Sequence, residues 1–419
     1  MSKKMNVLIA CGGTGGHLFP GIAVAETLKR QGHNVLLLIS EKKVDAQASK
    51  KYGILTFKTV PAIAKPPTLS LRMIPFLFKL WKSIRQCRAI LKKHQCDVVL
   101  GMGGFTSLPP IMAGRRMKLA TYVHDSNALP GRANRLTARW CNKVLLGLDA
   151  ATKFFPASKI IVTGTPVRQE LVAPLRPDRA KVTFALPSDG KVVLVMGGSQ
   201  GAKHLNSLVI EAAKALQKAP APKQATKKIS EQVAERKTQS LAATQAMPML
   251  APQEKAEKKT AASKATKAIQ GMPKVRFLHI TGAADYERVK ELTKDIEGYK
   301  VISFCDDMAS AYAACDIALC RAGASSMTEL AYAGMPSILV PYPYAADDHQ
   351  TVNAAVFEKA GAAILRQESD LDSTLLVNDL TRMLEDEDVW REMAKQADAL
   401  AVKDAAIQIC KVITSSTHK

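Results

Sequence analysis

No stretch of about 18 apolar residues occurs in this 419-residue chain, so nothing in it reads as a membrane-spanning helix. Any role at a membrane is then peripheral. None of its eight cysteines forms a CxxC pair. That argues against a structural zinc site and, in a chain this long, against a disulfide framework. A reducing cytosol is the expected compartment. The apolar run Met5–Cys11 is too short for a secretory segment and leads into glycines. Acid is scarce too: 37 Asp and Glu face 59 Lys and Arg, a formal charge of +22. Such a balance asks for an anionic partner, whether nucleic acid, a phosphorylated substrate or an acidic membrane surface. No recognisable nucleic-acid module is present, so nucleic acid is not expected. What the chain does have is ordinary for a globular protein, 47% hydrophobic and 23% charged residues, which excludes wholesale disorder.

Val/Ile/Leu-rich runs recur between helical patterns. They fall at Asn6–Ala10, Val35–Ser40, Asp97–Gly101, Leu119–Val123, Lys143–Gly147 and Lys159–Thr163 in the first half. In the second half they fall at Lys191–Met196, Val275–Ile280, Tyr299–Phe304, Asp316–Cys320, Pro336–Pro341 and Ala362–Arg366. They do not alternate polar with apolar, which suits parallel strands covered on both faces. Strand and helix in alternation predict an α/β fold of doubly wound sheets. Twelve strands are too many for one such sheet. Two Rossmann-like domains facing a cleft are expected, 1–167 and 168–400, with a helix and tail over 401–419. The first helix is expected at Pro20–Gln31, because proline suits a first turn and Gly32 an exit. Residues 217–273 break the pattern, with eleven Lys/Arg against four Asp/Glu and little apolar material. They read as an insertion on the amino edge of the second sheet, out of the cleft.

Each half opens with a strand running into glycines: Gly12-Gly13-Thr14-Gly15-Gly16-His17, and Gly197-Gly198-Ser199-Gln200-Gly201. Such turns let backbone approach a ligand and aim free N–H groups at an anion. Neither is followed by a Walker lysine, and the third glycine of a dinucleotide fingerprint is absent, so ATPase and NAD readings lose ground. His17 can take a proton near neutral pH or simply cap its helix. Further polar groups gather at carboxyl strand ends: Gly103-Gly104, His124–Asn127, Gly164–Arg168, Phe304–Met308, Arg321–Glu329 and Asp347–Asn353. That rim is where a doubly wound sheet binds ligands. The stretch entering a helix at Ala324 and Ser325 can hold a diphosphate, and Glu329 one turn on can accept a ribose diol. Asp306-Asp307 and Asp370-Leu371-Asp372 read as solvated acids rather than metal ligands.

Between Ala46 and Cys96 there is no acid at all, and eleven Lys/Arg. Within it, Leu77, Leu80, Ile84, Cys87 and Leu91 recur at helical spacing and are expected to face the core. Ile74, Phe76, Phe78 and Trp81 are more apolar residues than that stripe needs. Beside Arg72, Lys79 and Lys82 they suit shallow burial in an anionic leaflet, the alternative being an ordinary amphipathic helix.

Taken together, Gly12–His17 with Phe19-Pro20-Gly21, Leu100–Phe105, Gly197–Ala202, Asp306-Asp307-Met308, Cys320–Ala324 with Glu329, and His349-Gln350 with Asn353 resemble the MurG family of peptidoglycan N-acetylglucosaminyltransferases. The motifs come in the family's order and cover the chain apart from 217–273. The resemblance implies a GT-B fold of glycosyltransferase family 28. It implies inverting transfer of N-acetylglucosamine from UDP-N-acetylglucosamine to lipid I at the cytoplasmic face of the bacterial inner membrane, with no metal and no cofactor. The anionic leaflet and other cell-wall synthesis proteins are the partners it implies. Donor contacts then fall on Thr14, Gly15, Gly16, Asn127, Arg168, Ser199, Cys305, Ala324, Ser325, Ser326, Met327, Thr328, Glu329 and Gln350. Gly103, Gly104 and Asp125 fall on the acceptor side. His17 matches the residue proposed as base, with Asp125 in reserve. The family pattern His-Glu-Gln-Asn is His124-Asp125-Ser126-Asn127 here, Thr165 replaces an asparagine, and the insertion is extra. A diacylglycerol glycosyltransferase, a sugar-nucleotide epimerase and a non-enzymatic anion binder remain as rivals.

Overall fold

The computed structural model describes residues 4–42, 45, 50–61, 73–172, 175–197, 202–217 and 274–415. Ser199, Arg72 and almost all of the 217–273 insertion lie outside them. The first sheet comprises β1 (Asn6–Ala10), β2 (Asn34–Ile39), β3 (Thr56–Thr59), β4 (Val98–Gly101), β5 (Ala120–Asp125), β6 (Lys143–Leu146) and β7 (Ile160–Val162). Its order is 3-2-1-4-5-6-7, with every pairing parallel. The second comprises β8 (Lys191–Met196), β9 (Val275–Ile280), β10 (Tyr299–Ile302), β11 (Ile317–Cys320), β12 (Ser337–Leu339) and β13 (Ala363–Leu365). It runs 10-9-8-11-12-13, also parallel throughout. Each sheet reverses its strand order next to its first strand, between β1 and β4 and between β8 and β11. A ligand crevice opens at such switch points.

Each sheet is covered on both faces, as the unalternating runs require. Val7 and Ile9 of β1 point into one core with α1 (Gly15–Arg30). Leu8 and Ala10 point into the other, with α2 (Met73–Lys93) and α3 (Leu108–Arg116). The last helix, α13 (Ala405–Ser415), returns from the second domain and packs on α1. There Ile409, Cys410 and Ile413 are fully buried in the first domain's core.

Three expectations need correction. A thirteenth strand, β3, was not foreseen: Thr56-Phe57-Lys58-Thr59 is short, half polar and at the sheet edge. The first helix starts at Gly15, not Pro20, so the proline lies inside it. Proline has no N–H to give the carbonyl four residues back. That carbonyl, on Gly16, instead accepts the Ser325 hydroxyl of the second domain at 3.2 Å. In α2, Phe76 is buried (8% exposed) and Leu77 is exposed (55%), the reverse of expectation. At about 100° per residue, Phe76 lies roughly 20° from Cys87 and Leu77 about 80° away. Phe76 therefore belongs to the core stripe, where it meets the Phe105 ring edge-on.

Candidate active site

The loops after β1 and β4 meet at the first switch point, and His17 sits between them. Thr14 precedes α1 and has an extended backbone; its Oγ1 lies 3.2 Å from His17 Nδ1. On the ring's other side are Gly103 and Gly104, both with positive φ (120° and 70°). A Cβ on Gly103 would stand 2.7 Å from His17 Cδ2 and 2.8 Å from Nε2. Only glycine leaves room for the ring. The imidazole is half-buried. Burial holds its pKa below the ordinary histidine value, while the charges of Asp125 and Asp45 pull upward. It is therefore a neutral imidazole at pH 7, able to accept a proton.

Asp125, at the end of β5, is fully buried. Its oxygens accept the Asn127 backbone N–H (2.9 Å), the Asn127 amide (3.1 Å), the Gly131 N–H (3.1 Å) and the Asn134 amide (2.7 Å). A carboxylate so engaged organises the 125–134 turn, and as a reserve base it is spoken for. Asn127 Oδ1 accepts from Asn353 Nδ2 at 3.1 Å, and Asn353 Oδ1 accepts the Ala128 N–H at 2.8 Å. Asn353 lies in α10 (His349–Lys359) of the second domain and is fully buried. The two asparagines thus fasten the domains. Arg132 and Asp347 form a more exposed bridge across the same seam.

On the second sheet, the loop after β11 leads into α9 (Ala324–Tyr332), whose cap is Gly323. Neither α1 nor α9 has a side-chain cap or an acid in its first turn. Their positive ends are uncompensated. The Ser325–Gly16 hydrogen bond brings these two ends together across the cleft. Ala324, Ser326 and Thr328 are half-buried on the same turn, and Met327 turns into the core.

One turn deeper, Glu329 accepts from Arg168 Nε (3.2 Å), Arg168 Nη2 (3.3 Å) and the Tyr312 hydroxyl (2.9 Å). Burial pushes the Glu329 carboxyl up, and the guanidinium pulls it back. Arg168 also bonds Glu170 (3.1 Å) and lies over the Phe19 ring. The carboxylate expected to take a ribose is thus held by Arg168 here. Cys305 is buried; burial pushes its thiol up to about 11, the Asp307 backbone amide pulling against it. Gln350 Oε1 accepts the Tyr342 N–H at 3.0 Å. Asp307 and Asp372, read as solvated acids, cap helices through Ser310 and Leu375. A cavity of about 350 Å³, lined by Lys29, His33, Leu55 and His94 among others, opens at the amino edge of the first sheet, away from all these groups.

The glycosyltransferase family 28 C-terminal domain matches residues 192–409, and its N-terminal domain matches residues 7–146. This chain belongs to glycosyltransferase family 28. Relatives named UDP-N-acetylglucosamine--N-acetylmuramyl-(pentapeptide) pyrophosphoryl-undecaprenol N-acetylglucosamine transferase are 34% identical in a Shewanella species and 32% in a Nostoc species. Each alignment spans 99% of this chain and 98% of the relative. The crystal structure of Acinetobacter baumannii MurG superposes with a TM-score of 0.67 at 26% identity, over 98% of this chain and 99% of that one. The architecture is GT-B. A UDP-GlcNAc 2-epimerase from Neisseria meningitidis shares the fold at 14% identity (TM-score 0.61; 98% and 100% covered).

In this family 28 chain, one outer face of α2 has no cover among the described residues. Ile74 (72%), Phe78 (64%) and Trp81 (51%) are exposed beside Lys79 and Lys82. Phe78 stacks on Trp81, over which the Arg85 guanidinium lies. No helix among the described residues is long and apolar enough to cross a membrane. Sequence reading missed Asp45, Tyr312 and Glu170. Asp45 sits in a basic stretch with no motif around it, and the other two reach the site through Glu329 and Arg168.

Proposed function

We propose that this chain transfers N-acetylglucosamine from UDP-N-acetylglucosamine to the 4-hydroxyl of the muramoyl sugar of lipid I, the undecaprenyl-diphosphate-linked N-acetylmuramoyl pentapeptide, giving lipid II and UDP. The carrying observation is the meeting of two uncapped helix starts at the Gly16–Ser325 contact, with the His17 imidazole beside it. A leaving nucleoside diphosphate gains negative charge as its bond to the sugar breaks. The first-turn N–H groups of α1 and α9 supply fixed positive dipole where that charge develops, and Arg168 is within the same seam. The acceptor hydroxyl loses its proton as its oxygen attacks the anomeric carbon from the face opposite the diphosphate. Neutral His17 receives that proton. One bond forms, one breaks, and the anomeric centre inverts. This charge matching asks for no metal, and the Asn127–Asn353 fastening holds both halves in register for the step.

The exposed apolar residues of α2 among lysines suit an anionic cytoplasmic leaflet, where a lipid-linked acceptor resides. The chain then works as a peripheral protein, in reach of other cell-wall synthesis proteins. The test is release of UDP from UDP-N-acetylglucosamine with a short-chain lipid I analogue, with and without EDTA, on the wild type and His17→Ala. EDTA-insensitive turnover that needs this acceptor and falls with His17→Ala supports the reading. Turnover on diacylglycerol in place of lipid I, or no donor binding, overturns it.

A further inference from the structure

Asp45 is fully buried and is not used by the chemistry above. Its Oδ2 accepts the Gly13 backbone N–H (2.9 Å), the Ser40 N–H (2.8 Å) and the Ser40 hydroxyl (2.5 Å). Its Oδ1 has no hydrogen-bond partner, and no ion pair engages it among the described residues. Burying a charge without a full set of partners is unfavourable. The turn itself lies hard on the end of β2. A Cβ on Gly12 would stand 2.3 Å from Ser40 N, and Gly13 has φ +112°. From this anchored glycine the chain passes to Thr14, whose hydroxyl contacts His17.

Among the described residues, the charged and titratable groups around His17 are few. Asp45 and Lys42 come from the segment after β2, and Asp125 and His124 from the end of β5. Lys42 is exposed and bonds the Gly13 carbonyl at 2.8 Å. Asp125 is shared among four donors, which spreads its charge. Asp45 keeps one oxygen unengaged among the described residues.

We propose that Asp45 is a positioning residue of the transfer reaction, fixing the Gly12–Gly13 turn that presents Thr14 and His17, with its negative charge stabilising the imidazolium formed when the acceptor hydroxyl gives up its proton. The proposal rests on the transfer reading for its catalytic part. Its positioning part stands on the Asp45–Gly13 hydrogen bond and the Thr14–His17 contact.

The experiment separates the two. Asp45→Asn keeps an oxygen for the three donors and removes the charge; Asp45→Ser is the second neutral variant should the first not fold. The His17 imidazole is titrated by NMR in the full chain, its signal assigned by its loss in His17→Gln. The expected result is a fall of about one unit in the His17 titration midpoint in the neutral variant, a tenfold loss of proton affinity. The acid limb of kcat/KM moves down with it, and kcat falls by about tenfold at neutral pH. Asp45→Glu, which keeps the charge, moves both readouts back toward wild type. A His17 midpoint identical in wild type and neutral variant overturns the proposal, whatever the activity. A shifted midpoint with an unmoved acid limb overturns its catalytic part. A shifted midpoint in a protein with no activity on lipid I overturns the transfer reading and leaves the Asp45–His17 coupling in place.

Discussion

Adding one methyl group at Gly103 tests the placement of His17 directly. The Cβ of Gly103→Ala would meet His17 Cδ2 at 2.7 Å, Nε2 at 2.8 Å and Asn134 Nδ2 at 3.1 Å. Carbon atoms in comfortable contact are about 3.5–4.0 Å apart, so the ring must retreat by about 1 Å. It has nowhere easy to go, because Thr14 Oγ1 lies 3.2 Å from Nδ1 on its other side. A misplacement of about 1 Å is worth roughly 10²-fold in rate, or about 2.7 kcal/mol of barrier. The positive φ of 120° adds backbone strain of about 1–3 kcal/mol to the fold. Gly103→Ala should therefore release UDP about a hundredfold more slowly with saturating donor and the lipid I analogue, while still melting cooperatively. Gly131→Ala is the control: its φ is −60° and an added methyl meets nothing within 4 Å. A folded Gly103→Ala with kcat within about threefold of wild type would refute the claim that this ring position is the working one.

Three further outcomes are expected. Asn353→Ala leaves the Ala128 N–H and Asn127 Oδ1 unpaired in a buried seam; it should lower stability by about 2–4 kcal/mol in urea melts and raise the donor KM, and a loss under 1 kcal/mol would refute the fastening. His279 donates from Nε2 to Asn206 Oδ1 and accepts the Tyr299 hydroxyl at Nδ1, and burial pulls its pKa down to about 3. The unfolded chain binds that proton near pH 6.5 and the folded one does not, so stability present above pH 6.5 drains away as pH falls toward 3, by up to about 4–5 kcal/mol; His279→Gln should flatten the acid slope of the urea midpoint, and equal slopes would count against this account. Replacing Phe78 and Trp81 together by Glu should abolish binding to phosphatidylglycerol vesicles with the melting temperature unchanged, whereas retained binding would move the docking face elsewhere.

The strands β1, β8 and β9 are legible to the residue, because Val/Ile/Leu runs bounded by glycine or a polar residue have few other uses. β3 is not, since two of its four residues are threonines and only pairing with β2 makes it a strand. Pro20 misled because a proline in a helix is normally excluded; here the carbonyl it frees has a partner 309 residues away. The exchange of Phe76 for Leu77 turned on less than a quarter of a helical turn. His17 and the helix start at Ala324 stand out in glycine-rich motifs. Asn353 and Asn127 are each visible at the rim, but their mutual bond spans 226 residues and has no local signal. Asp45 shows least of all, because what it holds is backbone.

The path of the chain also fixes an order of events during synthesis. The first domain emerges before the second, yet Ile409, Cys410 and Ile413, fully buried in its core beside α1, are made only after the second. Until they arrive, the flank of α1 that includes Leu28 and Val24 stays open to water. The two isoleucines among them are worth about 1.5–3 kcal/mol each. The domain that the ribosome delivers first is therefore completed only after the second has been built, and a chain cut short near residue 400 leaves both halves present and the first one unsealed.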